Sequence, residues 1–346
     1  MIEIDGSYGE GGGQILRTAM ALSAIIKEEV HIKNIRRNRP KEGLKAQHLT
    51  SIETAATLCD AHIRGASPGS TEIYFSPSQI KGVDRTISIG TAGSIPLLMQ
   101  AIMPIAAFAK EKTKLRISGG TDVVWSPSID YLKEVTLKAL EKMGYQANIK
   151  LIERGYYPKG EGIAEIEIIP SGLKGFHYVP ADQNKRKEEY KENMIHGISH
   201  CSRLPEHVAK RQAGSAIRIL DENGKEADID IVADDFRSTG SGITLWSGFS
   251  GSVSVGKKGL AAEKVGEYAA KEILDELLPG TAVDIHLADQ LIPYMGLAGK
   301  GSFTVREVSK HCLTNIHVTE QMLDVRFSVD HGNDNGKKGP VEIAVE

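Results

Sequence analysis

The sequence lacks several features that define whole classes of protein. Its 346 residues include three cysteines, Cys59, Cys201 and Cys312, with no C-x-x-C spacing. This argues against a disulfide framework and a structural zinc site and favours a reducing compartment, so a cytoplasmic protein is expected. The longest apolar run, from Ile95 to Ala109, is too short to span a membrane and contains Pro104, so it predicts a buried helix and no membrane partner. The opening residues also lack the basic region and apolar core of a secretory signal.

Charge is nearly balanced, since 42 Lys and Arg residues stand against 45 Asp and Glu residues. A net charge of −3 gives no overall attraction to nucleic acid. One stretch departs from this balance: between Lys27 and His48, seven basic residues accompany three acidic ones, and Arg36, Arg37 and Arg39 follow directly after a predicted strand. Guanidinium groups suit bidentate contacts with phosphate, although a solvated charged loop would have the same composition.

The order of predicted elements repeats along the chain. A β-α-β-α-β-β pattern covers residues 2–75, recurs over 86–169, and its later elements appear a third time over 291–345. Between the second and third copies lies a highly charged run, followed by about a hundred residues with their own alternation of strands and helices. We therefore predict an α/β (α+β) fold: a large domain of three repeated units formed by residues 1–182 and 279–346, with a smaller α/β domain, 183–278, inserted.

His311 is the leading candidate for a catalytic residue. The residues before it alternate as in a strand, and those from Ser309 onwards have the apolar spacing of a helix. His311 would then lie beside backbone N–H groups that have no partner within the helix, which is a position that favours phosphate. An imidazole there could attack a phosphorus atom. A neutral surface or capping histidine is the alternative.

Two further motifs suggest phosphate or nucleotide chemistry. The glycine run from Gly9 to Gln14 opens a helix and would let backbone approach a phosphate, with Glu10 available for a metal ion and Arg17 for an anion. A purely structural turn explains the same glycines equally well. His286 and Asp289 are three residues apart on one predicted helix face. They are either a surface pair or a carboxylate that orients an imidazole or holds a metal while His286 packs on a nucleobase.

Taken together, these motifs resemble one family, the RNA 3′-terminal phosphate cyclases. The resemblance covers nearly the whole chain and rests on the segments DGSYGEGGGQILRTA, IRRNRPKEGLKAQHL, IGTAGSIPLLMQ, ISGGTD, HLADQLIPYMGLAGKGSFTV and SKHCLTNI. It implies repeated β-α-β-α-β-β units with a thioredoxin-like insert. It also implies an ATP-dependent ligase that converts an RNA 3′-terminal phosphate to a 2′,3′-cyclic phosphodiester, through histidyl-AMP and RNA-(3′)pp(5′)A intermediates.

The resemblance implies roles for individual residues. His311 would be the nucleophile, and Glu10 would hold Mg²⁺ or Mn²⁺. The residues implied in binding ATP or AMP are Gln100, Pro127, His286, Leu287, Ala288, Asp289 and Gln290. Those implied in binding phosphate or RNA are Arg17, Arg36, Arg39 and Gln47. In some relatives an aromatic residue stands where this chain has His286.

The expected partners are RNA 3′-phosphate ends and ATP, and self-association is left open. Two other functions compete with cyclisation. A non-catalytic cyclase-like protein acting in rRNA processing or ribosome assembly would be expected to lose the nucleophile, whereas this chain has His311. An enolpyruvyl-transferase-like enzyme would have similar repeats, but its chemistry needs no nucleophilic histidine.

Overall fold

The computed structural model describes residues 1–9, 12–180, 194–334 and 337–346, and it confirms a mixed α/β fold. The strands are β1 Ile2–Asp5, β2 Val30–Lys33, β3 His62–Arg64, β4 Ile73–Ser76, β5 Asp84–Ser88, β6 Thr113–Gly119, β7 Gln146–Glu153, β8 Gly162–Ile169, β9 Phe176–His177, β10 Ile195–Ser202, β11 Ala227–Asp234, β12 Gly240–Ser247, β13 Ser250–Val255, β14 Gly301–Val305, β15 Phe327–Asp334 and β16 Lys337–Val345. The helices are α1 Gly13–Ile26, α2 Ala46–Cys59, α3 Ile95–Ala107, α4 Ile129–Tyr131, α5 Leu137–Lys142, α6 His207–Glu222, α7 Ala262–Glu276, α8 Ile285–Ala298 and α9 Lys310–Met322. A π-helical turn, Leu132–Thr136, joins α4 to α5.

Three of the four-stranded sheets share one topology. Their strand orders are β1-β2-β4-β3, β5-β6-β8-β7 and β9-β14-β16-β15. In each, the first strand runs parallel to the second, and the remaining neighbours are antiparallel. The fourth sheet, β11-β10-β12-β13, has a different order, with β10 parallel to β11 and antiparallel to β12.

Two hydrophobic clusters lie in different parts of the chain. The larger one joins the helices and strands of the three similar sheets. The smaller one consists of residues from β10, α6, β12 and α7, including Ile195, Leu245 and Ile273, all fully buried. Helix α3 is buried along most of its length, as its apolar sequence predicts, and it includes Pro104. Within the described residues, no helix is long and apolar enough to cross a membrane.

Buried polar groups join the fourth sheet to the rest of the molecule. Arg154 pairs with both Asp122 and Asp130 through Nη1, at 3.2 and 2.8 Å. His200 of β10 completes the cluster: its Nε2 lies 3.3 Å from Asp122, and its Nδ1 hydrogen bonds with the Tyr156 hydroxyl at 2.8 Å. Two carboxylates and an imidazole this close resemble a metal site, but the buried guanidinium of Arg154 already pairs with both carboxylates. The cluster is therefore explained as a structural junction.

Helix α8 begins at Ile285, before the third copy predicted from residue 291, and it contains His286 and Asp289, whose spacing predicted one helix face. Asp284 is its N-cap, and Oδ1 accepts hydrogen bonds from the backbone N–H groups of His286 and Leu287 at 2.8 Å. The same buried carboxylate accepts from the Tyr131 hydroxyl and from Gly251 N, both at 2.8 Å. Asp284 thus fixes the start of α8 against the helix that follows β6 and against the fourth sheet.

The packing of α6 on α7 gives a matched test of the fold. A Cβ added at Gly266 of α7 would lie 2.0 Å from the carbonyl oxygen of Gln212 on α6, whereas at Gly214 nothing lies within 4 Å. We expect Gly266→Ala to lower the free energy of unfolding by about 1–3 kcal/mol, because the helices must separate. Gly214→Ala should raise the free energy of unfolding by about 0.5–1 kcal/mol, because alanine has a higher helix propensity than glycine at an exposed position inside a helix. Urea unfolding measures both, and equal effects would contradict this packing.

Candidate active site

The structure places His311 in the first turn of α9. Ser309 is the N-cap, and its Oγ accepts a hydrogen bond from Cys312 N at 3.0 Å. His311 is half-buried, whereas the Cys312 side chain is fully buried. Burial raises the pKa of the Cys312 thiol far above its usual range, so it stays protonated. The protonated thiol is a poor nucleophile, so of these two neighbours the imidazole stays the predicted one.

The glycine-rich turn before α1 lies against α9. A Cβ added at Gly9, whose φ is +58°, would lie 2.6 Å from Thr314 Oγ1, so the close approach requires glycine. The Tyr8 ring stacks on His317, with centroids 3.7 Å apart. These contacts bring the turn and the helix with His311 together. Glu10, the predicted metal ligand, lies outside the described residues, so its role stays a prediction.

A small cavity of about 30 Å³ lies between α1, α3, α8, α9 and the π-helical turn. It brings together four of the predicted site residues, Arg17, Gln100, Asp289 and Gln290. The remaining lining residues are Gln14, Thr18, Met103, Pro104, Leu132, Thr136, Pro293, Tyr294 and Asn315. Asn315 is one helical turn beyond His311 on the same helix, whereas His311 itself does not line the cavity.

Prolines free two backbone carbonyls of cavity residues. Pro293 has no N–H to offer the carbonyl of Asp289 four residues earlier, and Asn315 Nδ2 donates to that oxygen instead, at 2.6 Å. Asn315 Oδ1 in turn accepts from the Thr18 hydroxyl at 2.8 Å. Pro104 likewise has no N–H for the carbonyl of Gln100. The first of these proline sites links α8 to α9 and, through Asn315, to α1.

The cavity concentrates one positive and one negative side chain. Burial lowers the pKa of Arg17 to about 10, while the nearby Asp289 acts in the opposite direction. Burial raises the pKa of Asp289 to about 7, against the positive charges of His286 and Arg17 and with the negative charge of Asp284. Among the described residues that line the cavity, Asp289 is the single carboxylate. Strongly shifted pKa values in a cavity are typical of functional sites.

The raised pKa of Asp289 predicts a pH dependence of stability. From about pH 4 to pH 7 the folded protein keeps a proton that the unfolded chain releases, so stability falls as the pH rises through this window. Asp289→Asn stays neutral, and we expect it to flatten this decline and to add about 1–2 kcal/mol at pH 8, after allowing for partial exposure. Urea titrations from pH 4 to pH 8 compare the two proteins. Parallel profiles would contradict the prediction.

Positive charges cluster at the N-terminus of α1. A Cβ added at Gly12 would lie 3.3 Å from Arg39 Nη2, so this guanidinium covers the glycine turn. The pKa of Lys45 is lowered by the charge of Arg36, then by burial, Lys41 and Arg39. Mutual repulsion of this kind is relieved when an anion binds, and the N-terminus of α1 adds unpaired N–H groups.

Arg36 helps to build the loop that holds this cluster. It has a left-handed φ of +59°, and its buried Nη1 donates to the carbonyls of Lys41 and Gly43 at 2.7 and 2.9 Å. Arg36 was predicted to bind phosphate, but its Nη1 group is therefore already occupied by two backbone carbonyls. Gln47, another predicted residue, accepts a hydrogen bond from Ser94 N through Oε1 at 3.3 Å. It thus joins α2 to the turn before α3.

His48 is a site residue that the sequence did not reveal. Its Nδ1 accepts from Lys45 N at 3.1 Å, and a Cβ on Gly13 would lie 2.5 Å from Nε2 and 3.4 Å from Arg17 Nη1. Burial and the charges of Arg17, Arg36 and Lys45 lower its pKa to about 3, so the ring is neutral. With Nδ1 accepting, the proton is on Nε2, at the start of α1. In the sequence, the one indication of a role for His48 was that it directly follows Gln47, a predicted site residue.

The remaining predicted nucleotide-binding residues do not line this cavity. Leu287 and Ala288 are fully buried members of the large hydrophobic core. His286 is exposed at its surface edge, with Nε2 3.3 Å from Glu272 of α7; partial desolvation lowers its pKa, but the negative charges of Glu272 and Asp284 outweigh this and raise it to about 9. Pro127 is half-buried and precedes α4. Their parts in nucleotide binding stay predictions.

Comparisons with known proteins point to one family. A model of the RNA 3′-terminal phosphate cyclase family matches residues 8–329. The RNA 3′-terminal phosphate cyclase of Methanosarcina mazei is 55% identical over 100% of both chains, and that of Methanococcoides burtonii is 58% identical over 96% of this chain and 98% of its own. The Archaeoglobus fulgidus protein is 45% identical over 93% and 96%. An EPSP synthase structure from Acinetobacter baumannii gives a TM-score of 0.27 at 10% identity, covering 99% of this chain and 64% of that one, too weak to support an inference.

Proposed function

The chain belongs to the RNA 3′-terminal phosphate cyclase family, and we propose that it uses ATP to convert an RNA 3′-terminal phosphate to a 2′,3′-cyclic phosphodiester. The observation that supports this most directly is the position of His311, in the first turn of α9 and one helical turn from the cavity that Arg17 and Asp289 line. An imidazole in the first turn of a helix, on an element that also contacts a glycine-rich turn, supports a role in phosphoryl chemistry.

The first proposed step is attack of His311 on the α-phosphorus of ATP. The neutral ring forms a P–N bond as the bond to pyrophosphate breaks, leaving histidyl-AMP. Arg17 and Arg39 would stabilise the negative charge that develops on pyrophosphate. Mg²⁺ or Mn²⁺, when bound, would neutralise phosphate charge. Glu10 is the proposed ligand. Burial disfavours the ionised form of Asp289, so a cation bound beside this carboxylate would stabilise its charge.

The second and third steps use the RNA itself. A 3′-phosphate oxygen attacks the adenylate phosphorus and displaces His311, which gives RNA-(3′)pp(5′)A. The adjacent ribose 2′-OH then attacks the activated phosphate, closing the cyclic phosphodiester and releasing AMP. Both reacting groups of this last step are on one ribose, so proximity is built into the substrate. The cluster formed by Arg39, Lys45 and His48 is the proposed site for the RNA phosphate.

The sheet topologies support a proposal about the repeated units of the fold and the position of the inserted domain. We propose that the three sheets of identical order belong to three repeats of one β-α-β-α-β-β unit. The third repeat would start at β9 and resume at α8, with the fourth sheet, α6 and α7 forming a thioredoxin-like insert, 183–278. Residues 183–193 lie outside the described residues. The three cysteines, all buried and free, fit a reducing cytoplasm, which we propose as the location.

The proposed function is tested with a short 3′-phosphorylated RNA, ATP and Mg²⁺. Cyclisation makes the terminal phosphate resistant to phosphatase, and it requires ATP. The same oligonucleotide ending in a 2′-deoxynucleoside should accumulate the adenylated end, because it lacks the attacking hydroxyl. RNA binding without ATP-dependent cyclisation would instead support the non-catalytic alternative.

A further inference from the structure

The loop after β6 presents a tryptophan to solvent in a strained conformation. Trp125 is 94% exposed, and Val124 beside it is 60% exposed. The φ of Trp125 is +68°, a region that bulky side chains rarely occupy. Neither feature stabilises the free protein. Backbone strain of this kind is concentrated at functional sites.

Hydrogen bonds connect this tryptophan to the proposed phosphate site. Ser126, the next residue, bonds through its hydroxyl to that of Ser94. Ser94 N donates to Gln47 Oε1 at 3.3 Å. Gln47 directly precedes His48, which lies against the start of α1. Trp125 is thus linked through Ser126, Ser94 and Gln47 to His48, and its side chain lies on the surface rather than in the cavity.

We propose that Trp125 is a base-stacking residue for the RNA substrate, holding one of its last two bases while the 3′-phosphate occupies the cationic cluster. This inference rests on the proposed function. Single-stranded RNA is commonly held by a basic site for its backbone and an exposed aromatic face for its bases. The chain upstream of the 3′-phosphate must leave the site across the surface, where Trp125 lies. A mononucleotide such as ATP is expected to bind within a cavity, and so to leave a side chain this exposed untouched.

Kinetics on the full-length protein test the assignment. Trp125→Ala should raise KM for a short 3′-phosphorylated RNA roughly tenfold, with kcat and the rate of labelling by α-phosphate-labelled ATP unchanged. Trp125→Phe should restore most of the affinity. Tyr268→Ala, which removes an aromatic ring 50% exposed on α7, should change nothing. Trp125→Gly guards against misfolding, because glycine adopts the left-handed φ easily, and it should behave like the alanine variant.

Substrates and fluorescence separate the outcomes. An abasic site at the stacked position should raise KM for the wild type but not for Trp125→Ala. In a Trp246→Phe background, the RNA should quench Trp125 fluorescence, and AMP alone should not. An unchanged KM in both the alanine and the glycine variants, or an equal loss of ATP labelling, would overturn the proposal; the latter would assign Trp125 to adenine. A wild-type protein that binds the RNA with quenching but never cyclises it would refute the function and leave the stacking assignment standing.

Discussion

His311→Asn should abolish protein labelling from ATP carrying radioactive phosphorus in the α position. We expect a loss of at least about 10³-fold, because no other group can replace a covalent nucleophile at that point of the helix. The asparagine keeps a polar side chain of similar size in the first turn, so α9 and its Ser309 cap should be retained. Label from the γ-phosphate should bind neither protein, since pyrophosphate leaves.

The chemistry of the adduct gives a second measurement. A phosphoramidate is labile to acid and stable to alkali, so label on the wild type should follow that pattern. His317→Gln is the matched control, because His317 is on the same helix but stacks on Tyr8. Its labelling should be close to that of the wild type. Persistence of the label in His311→Asn together with its loss in His317→Gln would move the nucleophile to the second histidine.

Local signals made part of the fold predictable. The helix at 13–26 and the start of α9 follow from apolar spacing and from Ser309 as a cap, and both are close to the predicted bounds. The third copy was predicted only from residue 291, whereas α8 starts at Ile285 and continues through Pro293. Its missing N–H is compensated by Asn315, a contact between residues far apart in the chain. No pattern within one window of sequence contains that information.

The site was predictable in composition but less so in geometry. Arg17, Gln100 and Asp289 come from three different helices, and the cavity assembles them. Arg36, by contrast, has the right chemistry for phosphate, but its Nη1 binds two carbonyls of its own loop. His48 has ordinary sequence surroundings, and only the approach of Gly13 in the folded chain shows its place. Residue type indicates which contacts a side chain can form, whereas the folded structure determines which of its atoms already bind other residues.

The different positions of Arg36, which is buried in its loop, and Arg39, which is half-buried over Gly12, predict unequal effects of their substitution. Arg39→Ala should lower kcat/KM for 3′-phosphorylated RNA by about 10²-fold, because truncating a group that forms charge-assisted hydrogen bonds to phosphate costs a few kcal/mol. Arg39→Lys should recover only part of this loss, because an ammonium cannot form the bidentate contact. The salt dependence of RNA binding should become shallower in Arg39→Ala, since one phosphate contact is lost.

Arg36→Ala serves as the comparison, since its guanidinium supports the loop through Lys41 and Gly43. That variant should lose stability as well as activity, with a lower urea midpoint, because two carbonyls lose a buried donor. Arg39→Ala should lower the midpoint less than Arg36→Ala does, because the half-buried Arg39 guanidinium lies over the glycine turn at Gly12 and Arg36 is buried. If Arg39→Ala unfolds as readily as Arg36→Ala while cyclising RNA at the wild-type rate, Arg39 is a loop residue and the phosphate lies elsewhere. Loss of RNA use at a midpoint above that of Arg36→Ala would assign the 3′-phosphate to the turn that opens α1.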